Sequence, residues 1–409
     1  MRLLWINHFA VPPGEGGGTR HFEMGRELVS RGWDVTIAAS DVHTQTRAYT
    51  RRKGTHDRRV LTEEIDGVRF QYLWAAPYRR NDWRRAWNWA SFARELVRWA
   101  PGAVRPDVVI GSSPHLFAAL AGWHLARRWE VPFVFEVRDL WPESMAAAGG
   151  RKGLVYVGFD AIARWLYAKS DQIVCLARGT VDYLAQQRAV ALERLAFVPN
   201  GVDPSAFPEP TRRRGGAFTV VYAGAHGPAN GLDLVLEAAA HLGSRSDIKI
   251  SLVGDGPAKA GLRRTAESRG VRNVEFVDPV PKSEMPAVLA SADAGLMVLR
   301  QTPLFAFGVS PNKLFDYLGA SLPVVCNVPG EVAMMVSEAG AGVQAEPGSG
   351  TSLAAAIEKL ADFSPETRRV MGTSGRSWVS REHGRNVLAE RLDEILRNVV
   401  SSGRAGKRT

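Results

Sequence analysis

Cysteine is scarce in this chain of 409 residues, and its two thiols cannot form a disulfide framework. Cys175 and Cys326 each lie in an apolar run, so we expect buried strand thiols of a protein from a reducing compartment. No run approaches the ~18 apolar residues of a membrane-spanning helix. The opening stretch Met1–Asn7 is too short for a signal peptide and indicates a first strand. No clustered His, Cys or Asp spacing is present, so no metal is predicted.

Acidic residues are outnumbered by basic ones, with 42 Asp and Glu against 52 Lys and Arg. The formal net charge of +10 favours polyanions, anionic lipid surfaces or phosphorylated substrates as partners. The basic residues concentrate in Arg47–Arg59, in Tyr72–Trp99 and in the tail Arg404–Arg408. Composition alone leaves all three kinds of partner open.

Strand-like runs alternate with helical patterns along the chain, which is typical of an α/β fold with parallel sheets. Each half opens with a strand, a glycine-rich loop and a helix, the second half beginning near Thr219. Turn chemistry at Asn200–Pro204 and the polar stretch Thr211–Gly216 separate the halves. We predict a first domain at residues 1–207, a second at 216–385, and a C-terminal helix with a basic tail at 386–409 that packs toward the first domain.

Glycine-rich loops follow three predicted strands. Glycine lets a backbone approach a ligand closely, and a helix N-terminus offers unpaired N–H groups, so these loops suit a phosphate. A dinucleotide fingerprint fails because its sixth position is Thr19 or His21, and Asp41 is a weak match to its ribose-binding acid. A tight turn without a ligand is the alternative. The loop residues that we assign to phosphate binding are Gly16, Gly17, Gly18, Gly224, His226, Asn230 and Gly254.

A predicted helix begins near Ser310-Pro311-Asn312-Lys313 and carries charges that suit a nucleotide. Ser310 and Asn312 are good helix caps. Lys313 places a cation where the helix dipole disfavours it, which makes sense if an anion binds there. Asp316 lies three residues on, on the same face, and could accept both hydroxyls of a ribose. A solvated lysine and a helix-stabilising aspartate are the alternatives.

The segment Ser310–Val324 resembles the donor-site motif of glycosyltransferase family 4, in which Pro-x-Lys-x-x-Glu-Tyr opens a helix. Gly254–Pro257, Pro106–Val109 and Phe197–Asp203 are similar to further segments of that family and stand in its order. The run Val137–Ser144 resembles bacterial O-antigen and capsule transferases of the fucosamine-transferase type. The resemblance covers nearly the whole chain.

The resemblance implies a GT-B fold, with two Rossmann-like domains whose parallel sheets face each other across a cleft. It also implies a retaining, metal-independent glycosyltransferase without a cofactor other than its nucleotide-sugar donor. We expect a UDP-linked, N-acetylated sugar and a lipid-linked or polysaccharide acceptor of cell-envelope glycan biosynthesis. Lys313 and loop amides would stabilise the leaving diphosphate.

The chain departs from the family pattern in three places. Gly308 stands where the family often has the first glutamate of Glu-x₇-Glu. The loop Gly224–Gly231 lacks the usual Arg and Lys, which leaves Arg300 as a weaker phosphate candidate. Arg138 stands before Asp139 where many members have histidine.

Candidate catalytic and acceptor residues follow the strands of the first half, at the edge where parallel sheets bind ligands. Together with Lys313, we assign catalysis to Asp139 and His115, and acceptor binding to Arg138 and Glu143. A helix cap, an ion pair or a loop residue without a function is the alternative for each.

Aromatic and basic residues interleave between Trp74 and Trp99. On a helix they suit a membrane interface with anionic headgroups, where a polyprenyl diphosphate acceptor would reside. We predict a cytoplasmic protein that associates peripherally with the inner face of the cell membrane. A core helix and RNA stacking are the alternatives, and no nucleic-acid fold signature supports the second.

Two other functions are compatible with these patterns. A nucleotide-sugar epimerase on the same fold would act without an acceptor. A non-catalytic glycan- or lipid-binding protein on a degenerate transferase scaffold would lack activity, and Gly308 keeps that alternative open.

Overall fold

A computed structural model describes residues 1–405 except 16, 44–45, 55, 81, 148–152, 209–215 and 303–307. The chain divides into two compact units. The first unit comprises residues 1–199 together with 388–409, and the second comprises residues 200–387. Both units are layered α/β structures, and the predicted fold class is confirmed.

The first unit contains eight strands and six helices before its C-terminal helix, counted over the described residues. The strands are β1 Arg2–Ile6, β2 Asp34–Ser40, β3 Leu61–Ile65, β4 Val68–Leu73, β5 Val108–Ser112, β6 Phe133–Val137, β7 Gln172–Cys175 and β8 Leu195–Phe197. The helices are α1 Arg20–Ser30, α2 Trp83–Trp99, α3 Leu116–Trp129, α4 Glu143–Ala147, α5 Leu154–Lys169 and α6 Arg178–Gln187.

The sheet of the first unit has the order β3-β4-β2-β1-β5-β6-β7-β8. Every neighbouring pair is parallel except β3 and β4, which form an antiparallel edge. β5 and β6 are buried at every position, as expected when a sheet is covered on both faces.

The helix α14, Arg385–Ala405, joins the first unit from Leu388 onward. Leu388, Leu392 and Leu396 recur every four residues and are buried in the core of that unit. The side chain of Asp393 accepts a 2.6 Å hydrogen bond from the Trp33 indole, next to α1. The C-terminal helix is therefore an integral layer of the N-terminal unit.

The second unit has a parallel six-stranded sheet in the order β11-β10-β9-β12-β13-β14. Its strands are β9 Phe218–Ala223, β10 Ile248–Val253, β11 Val274–Val277, β12 Ala294–Met297, β13 Val324–Cys326 and β14 Gly342–Gln344. Its helices are α7 Leu232–His241, α8 Lys259–Ser268, α9 Met285–Ala290, α10 Asn312–Gly319, α11 Glu331–Glu338, α12 Gly350–Asp362 and α13 Pro365–His383.

Most of the predicted site residues follow strands and lie at the carboxyl edges of the two sheets. In the first unit these are the residues after β1, β5 and β6, and in the second the loops after β9 and β10. Cys175 and Cys326 are free and buried inside strands, as expected. None of the helices in the described ranges is both long and apolar enough to cross a bilayer.

Candidate active site

The loops that follow β9 and β10 cross so closely that only glycine fits between them. A Cβ atom on Gly254 would stand 2.0 Å from the carbonyl oxygen of Gly224, and one on Gly256 would stand 2.5 Å from that of His226. Gly254 also has a φ of 141°, a conformation that side-chain-bearing residues rarely adopt. The two loops therefore form one continuous surface of backbone at the edge where such sheets bind ligands.

A buried lysine, which the sequence analysis missed, holds these loops in place. The ammonium of Lys259 donates to the carbonyl oxygen of Gly254 at 2.8 Å and to that of Val277 at 3.1 Å. It also lies 2.8 Å from the carboxylate of Asp278. Because its ammonium donates to three acceptors, Lys259 holds the ends of β10 and β11 together and has a structural role.

The helix α10 begins beside these loops without a side-chain cap. Its N-cap residue is Pro311, whose side chain cannot accept a hydrogen bond. The predicted capping role of Ser310 and Asn312 is wrong, because the Ser310 hydroxyl accepts the N–H of Asn200 at 2.9 Å and Asn312 is an exposed residue of the first turn. The amides of the first turn are thus available to an anion, which the dipole at this end favours.

Lys313 extends from the first turn of α10 toward the glycine-rich loop that follows β9. Its ammonium donates to the Tyr222 hydroxyl at 3.0 Å and to the Asn230 side-chain oxygen at 3.2 Å. It lies 4.3 Å from the centre of the Tyr222 ring. Burial lowers the pKa of Lys313 to about 7. Because both hydrogen-bond acceptors are neutral, a bound anion would restore the full charge of this ammonium.

Two buried tyrosines shape this corner and were not anticipated from the sequence. The Tyr317 hydroxyl accepts the N–H of Ala223 at 2.9 Å, which fixes the end of β9. A Cβ on Gly295 would stand 2.5 Å from the Tyr317 ring, so the ring lies directly against the sheet. The Tyr222 hydroxyl donates to the carbonyl oxygen of Ala225 at 2.8 Å and thereby presents a lone pair to Lys313.

The other residues predicted to bind the donor have varied surroundings. Asp316 is partly buried on α10, three residues after Lys313. His226 is fully buried, neither of its ring nitrogens has a hydrogen-bond partner in the described chain, and burial lowers its pKa. Arg300 bonds to Asp233 at 2.8 Å, so its guanidinium already neutralises a carboxylate. Gly308 has a φ of 76°, which an acidic residue would adopt only with strain.

In the first unit, the glycine loop lies beside an arginine. Gly16 is outside the described residues. The Nη2 atom of Arg138 is 3.8 Å from the position of a Cβ on Gly18, and Gly17 packs on the Val11 side chain. The Nε atom of Arg138 is buried without a hydrogen-bond partner among the described residues. The structure therefore brings Arg138 to the loop that is predicted to bind phosphate, and its assignment to the acceptor stays a prediction.

A buried polar network beneath this loop was not predicted from the sequence. The Glu136 carboxylate on β6 accepts hydrogen bonds from Ser112 at 2.6 Å and from Arg20 at 3.1 Å, and the imidazole of His21 lies 3.1 Å away. Burial opposes ionisation, but His21 and Arg20 hold the pKa of Glu136 well below its usual range. Burial also lowers the pKa of His21 to about 4. The network fixes the first turn of α1 on the sheet.

His115 is a helix cap in the structure. Its Nδ1 atom accepts the N–H of Ala118 at 2.8 Å, and its ring stacks on His8 at 4.7 Å. The side chain is buried, which lowers its pKa to about 3. These contacts match the alternative in which His115 is a helix cap. Asp139, by contrast, is exposed, and within the described residues its hydrogen bonds are those of its backbone with the Ser113 hydroxyl.

Glu143 and Asp41 are held by structural contacts. The Glu143 carboxylate accepts the Tyr183 hydroxyl at 2.6 Å and pairs with Arg188. The Asp41 carboxylate accepts the backbone N–H groups of Arg51 and Arg52 at 3.0 and 2.9 Å. These contacts give Asp41 a structural role, in keeping with its weak match to a ribose-binding acid, and the acceptor role of Glu143 stays a prediction.

The aromatic and basic segment is divided between core and surface. Its buried members are Trp74, Tyr78, Trp89 and Phe92. By contrast, Trp83 is 70% exposed and Trp87 is 52% exposed, both near the start of α2. The membrane contact predicted for Trp74–Trp99 stays a prediction, and it can involve only the exposed residues of this segment, because the buried ones pack in the first unit.

No group of three or more His, Cys, Asp or Glu side chains in the described part of the chain could hold a metal ion.

Both halves of the chain match known family models. Residues 15–201 match the glycosyl transferase 4-like domain, and residues 217–362 match the glycosyl transferases group 1. The first match ends at residue 201, next to the division between the structural units at residues 199 and 200, and the second match lies within the second unit.

Known proteins resemble the chain over most of its length. WcaI of Escherichia coli K12, a glycosyl transferase named for colanic acid biosynthesis, is 26% identical over 73% of this chain and 74% of its own. Sucrose-phosphate synthase from Thermosynechococcus elongatus superposes with a TM-score of 0.77, at 16% identity and covering 98% and 99% of the two chains. Anabaena HepE, solved in complex with UDP-glucose, gives a TM-score of 0.70 at 14% identity and covers 97% and 100%.

Proposed function

The chain belongs to glycosyltransferase family 4 with the GT-B fold, and from that premise we propose that it transfers a sugar from a nucleotide sugar with retention of anomeric configuration. The observation that supports this most is Lys313, held by Tyr222 and Asn230 beside two interlocked glycine loops. An ammonium with only neutral partners, next to uncapped helix amides, suits a leaving diphosphate.

We assign the donor contacts as follows. Lys313 and the first amides of α10 oppose the charge that develops on the diphosphate as the bond to the sugar breaks. The backbone of Gly224 and Gly254 accommodates the phosphates, and Asp316 accepts the ribose hydroxyls. Gly17 and Gly18 of the first unit stay predicted donor ligands, with Arg138 beside them.

The transfer step needs no cofactor in this proposal. The bond between the anomeric carbon and the phosphate oxygen breaks, and the acceptor hydroxyl forms a bond on the same face. Its proton passes to the leaving phosphate, so charge and atoms balance. Catalysis then consists of positioning and electrostatic stabilisation, with Asp139 as the proposed orienting residue.

For the donor we propose a UDP-linked, N-acetylated sugar, and for the acceptor a lipid-linked or polysaccharide glycan of the cell envelope. HepE, which shares the fold, was solved with UDP-glucose, and WcaI is named for colanic acid biosynthesis. These neighbours support the choice of donor and acceptor classes.

A coupled assay tests the proposed function directly. The chain is incubated with UDP, GDP and ADP sugars, with and without lipid-linked glycans extracted from bacterial membranes, and nucleoside diphosphate release is measured. We expect release from a UDP sugar that requires the acceptor, with the anomeric configuration retained in the product by NMR. Conversion of the donor without an acceptor would identify an epimerase, and no turnover with any pair would favour a binding protein.

Nucleotide binding is expected to weaken with rising pH. In the free protein the pKa of Lys313 is about 7, and a bound diphosphate would raise it. The ammonium of the free protein is half deprotonated at pH 7, so from just below pH 7 upward binding must recruit a proton. Affinity for UDP, measured by calorimetry, should decline by about 1.5-fold between pH 6.5 and 7 and then fall by up to about tenfold per pH unit.

The same titration of Lys313→Met is the control for this pH dependence. Its weaker binding should show no decline between pH 7 and 9, because the titrating group is gone. An unchanged slope in this variant would assign the effect to another group.

We further propose that the first unit docks on an anionic membrane through the start of α2. Trp83 and Trp87 are exposed there, and Arg79, Arg80 and Arg84 are exposed beside them. Exposed indoles with basic neighbours suit a headgroup interface. Apolar side chains are also exposed at the start of α5, where Leu154 is 91% exposed and Val155 is 66% exposed.

Replacing Arg79, Arg80 and Arg84 together by glutamine should weaken binding to phosphatidylglycerol vesicles by about 100-fold, because each arginine contributes about 1 kcal/mol near such a surface. Sedimentation with vesicles measures the change. The matched control replaces Arg264, Arg269 and Arg272, which are exposed in the second unit. Equal binding by both triple variants would rule out this docking face.

A further inference from the structure

An apolar groove of about 590 Å³ runs between α2 and α3 on the surface of the first unit. It exists because small side chains, Ala90 and Ala93 on α2 and Ala121 on α3, face each other where the helices meet. Phe117, Leu120 and Trp123 form its other wall and are only partly buried. The apolar side chains that line the groove are therefore partly exposed, and a further apolar group can pack against them.

The groove extends along α2. Its α2 wall, from Ala90 to Val97, spans about 10 Å along the helix axis at 1.5 Å per residue. The groove begins one turn after the exposed Trp87 on the same helix. This shape suits an extended hydrocarbon chain, and its start adjoins the proposed membrane-docking face.

Positive charge gathers at one edge of the groove. Arg94 and Arg98, one turn apart on α2, line it and are exposed. Both lie within 4 Å of Glu95, at 3.2 and 3.9 Å, and Arg58 approaches the same carboxylate at 3.7 Å. Three guanidinium groups thus share one carboxylate, which leaves an excess of positive charge to pair with a phosphate.

We infer that this groove binds one anionic diacyl phospholipid of the membrane, with an acyl chain between α2 and α3 and the phosphate against Arg94 and Arg98. The inference deepens the docking proposed above and rests on it. A second copy of the chain fits the charge pattern poorly, because a two-fold contact over this groove would bring the same arginines face to face.

Binding of a short-chain lipid to the full-length protein tests the inference without a membrane. Dioctanoyl phosphatidylglycerol, used below its micelle concentration, should bind as one molecule per chain in native mass spectrometry and calorimetry. Ala93→Trp fills the groove and should weaken binding at least tenfold. The control Ala168→Trp places an indole at an exposed position of α5, outside the groove, and should bind as the wild type does.

A surface variant keeps the test informative if Ala93→Trp does not fold. Replacing Arg94 and Arg98 by glutamine should weaken binding of the phosphatidylglycerol at least tenfold and leave dioctanoylglycerol, which lacks the phosphate, unchanged. No lipid bound, unaltered binding by Ala93→Trp, or full competition by inorganic phosphate would each overturn the inference. So would dimers that Ala93→Trp converts to monomers, since these would identify a second copy as the occupant.

Nucleotide binding measured on the same samples separates this inference from the proposed transferase function. Loss of lipid binding with intact UDP binding in Ala93→Trp supports the groove. Absence of lipid binding in a wild-type chain that binds UDP overturns the groove alone.

Discussion

Replacement of Lys313 by methionine is expected to lower kcat/KM for the nucleotide sugar by about 10²–10³-fold, the usual cost of removing one group that stabilises developing charge. The ammonium is held by the Tyr222 hydroxyl and the Asn230 side-chain oxygen, so it is already positioned beside the glycine-rich loop that follows β9. Methionine keeps the length and the apolar stem but cannot oppose the charge of a diphosphate. Steady-state kinetics with the donor and acceptor identified in the coupled assay measure the loss.

The thermal stability of Lys313→Met separates a lost charge from a lost fold. The folded protein holds Lys313 at a pKa of about 7, below that of an unfolded chain, so protonation at pH 7 and below favours the unfolded state. Methionine removes this penalty, and Tm at pH 6 should equal or exceed that of the wild type. Lys249→Met, at an exposed position near the start of β10, is the matched control. Full activity of Lys313→Met would contradict the assignment.

Gly254→Ala is expected to lower the free energy of unfolding by about 3 kcal/mol, because overpacking and a strained φ add together. The new Cβ would stand 2.0 Å from the Gly224 carbonyl oxygen, which is backbone and cannot rotate away. The two loops must separate, so UDP affinity should also fall at least tenfold. Calorimetry should report a Tm lower by about 10 °C for a unit of this size.

Gly261→Ala provides the control in the same unit. Gly261 lies on α8, no atom stands within 4 Å of its Cβ position, and alanine is a better helix former. This substitution should leave UDP affinity unchanged and raise Tm slightly. A Gly254→Ala protein as stable as Gly261→Ala would show that the two loops do not interlock as described.

Many strands of the Rossmann-like pattern were predictable because they are short runs rich in β-branched and aromatic residues. Val68–Leu73, Phe133–Val137 and Val274–Val277 coincide with β4, β6 and β11. The edge strand Leu61–Ile65 was missed, since its alternating polar residues lie half exposed and lack that signature. The conformations of the loops depend on backbone contacts between distant segments, such as that between Gly224 and Gly254, and a local sequence pattern does not predict these contacts.

The candidate site was only partly predictable. Lys313 could be found because a cation in the first turn of a helix opposes the local dipole. The predicted Ser310 cap was wrong because the Ser310 hydroxyl accepts a hydrogen bond from the backbone N–H of Asn200, which is 110 residues away in the sequence. Lys259 and Glu136 were missed for the same reason: their partners converge from separate strands and loops, and only the folded sheet brings them together.

Isothermal titration calorimetry of the full-length chain with UDP tests the central claim most directly, that the glycine loops of the second unit and Lys313 hold a nucleoside diphosphate. The wild type should take up one UDP per chain at pH 7, and Lys313→Met should bind it at least tenfold more weakly. Absence of heat with UDP, GDP and ADP alike, from folded protein, would contradict the account.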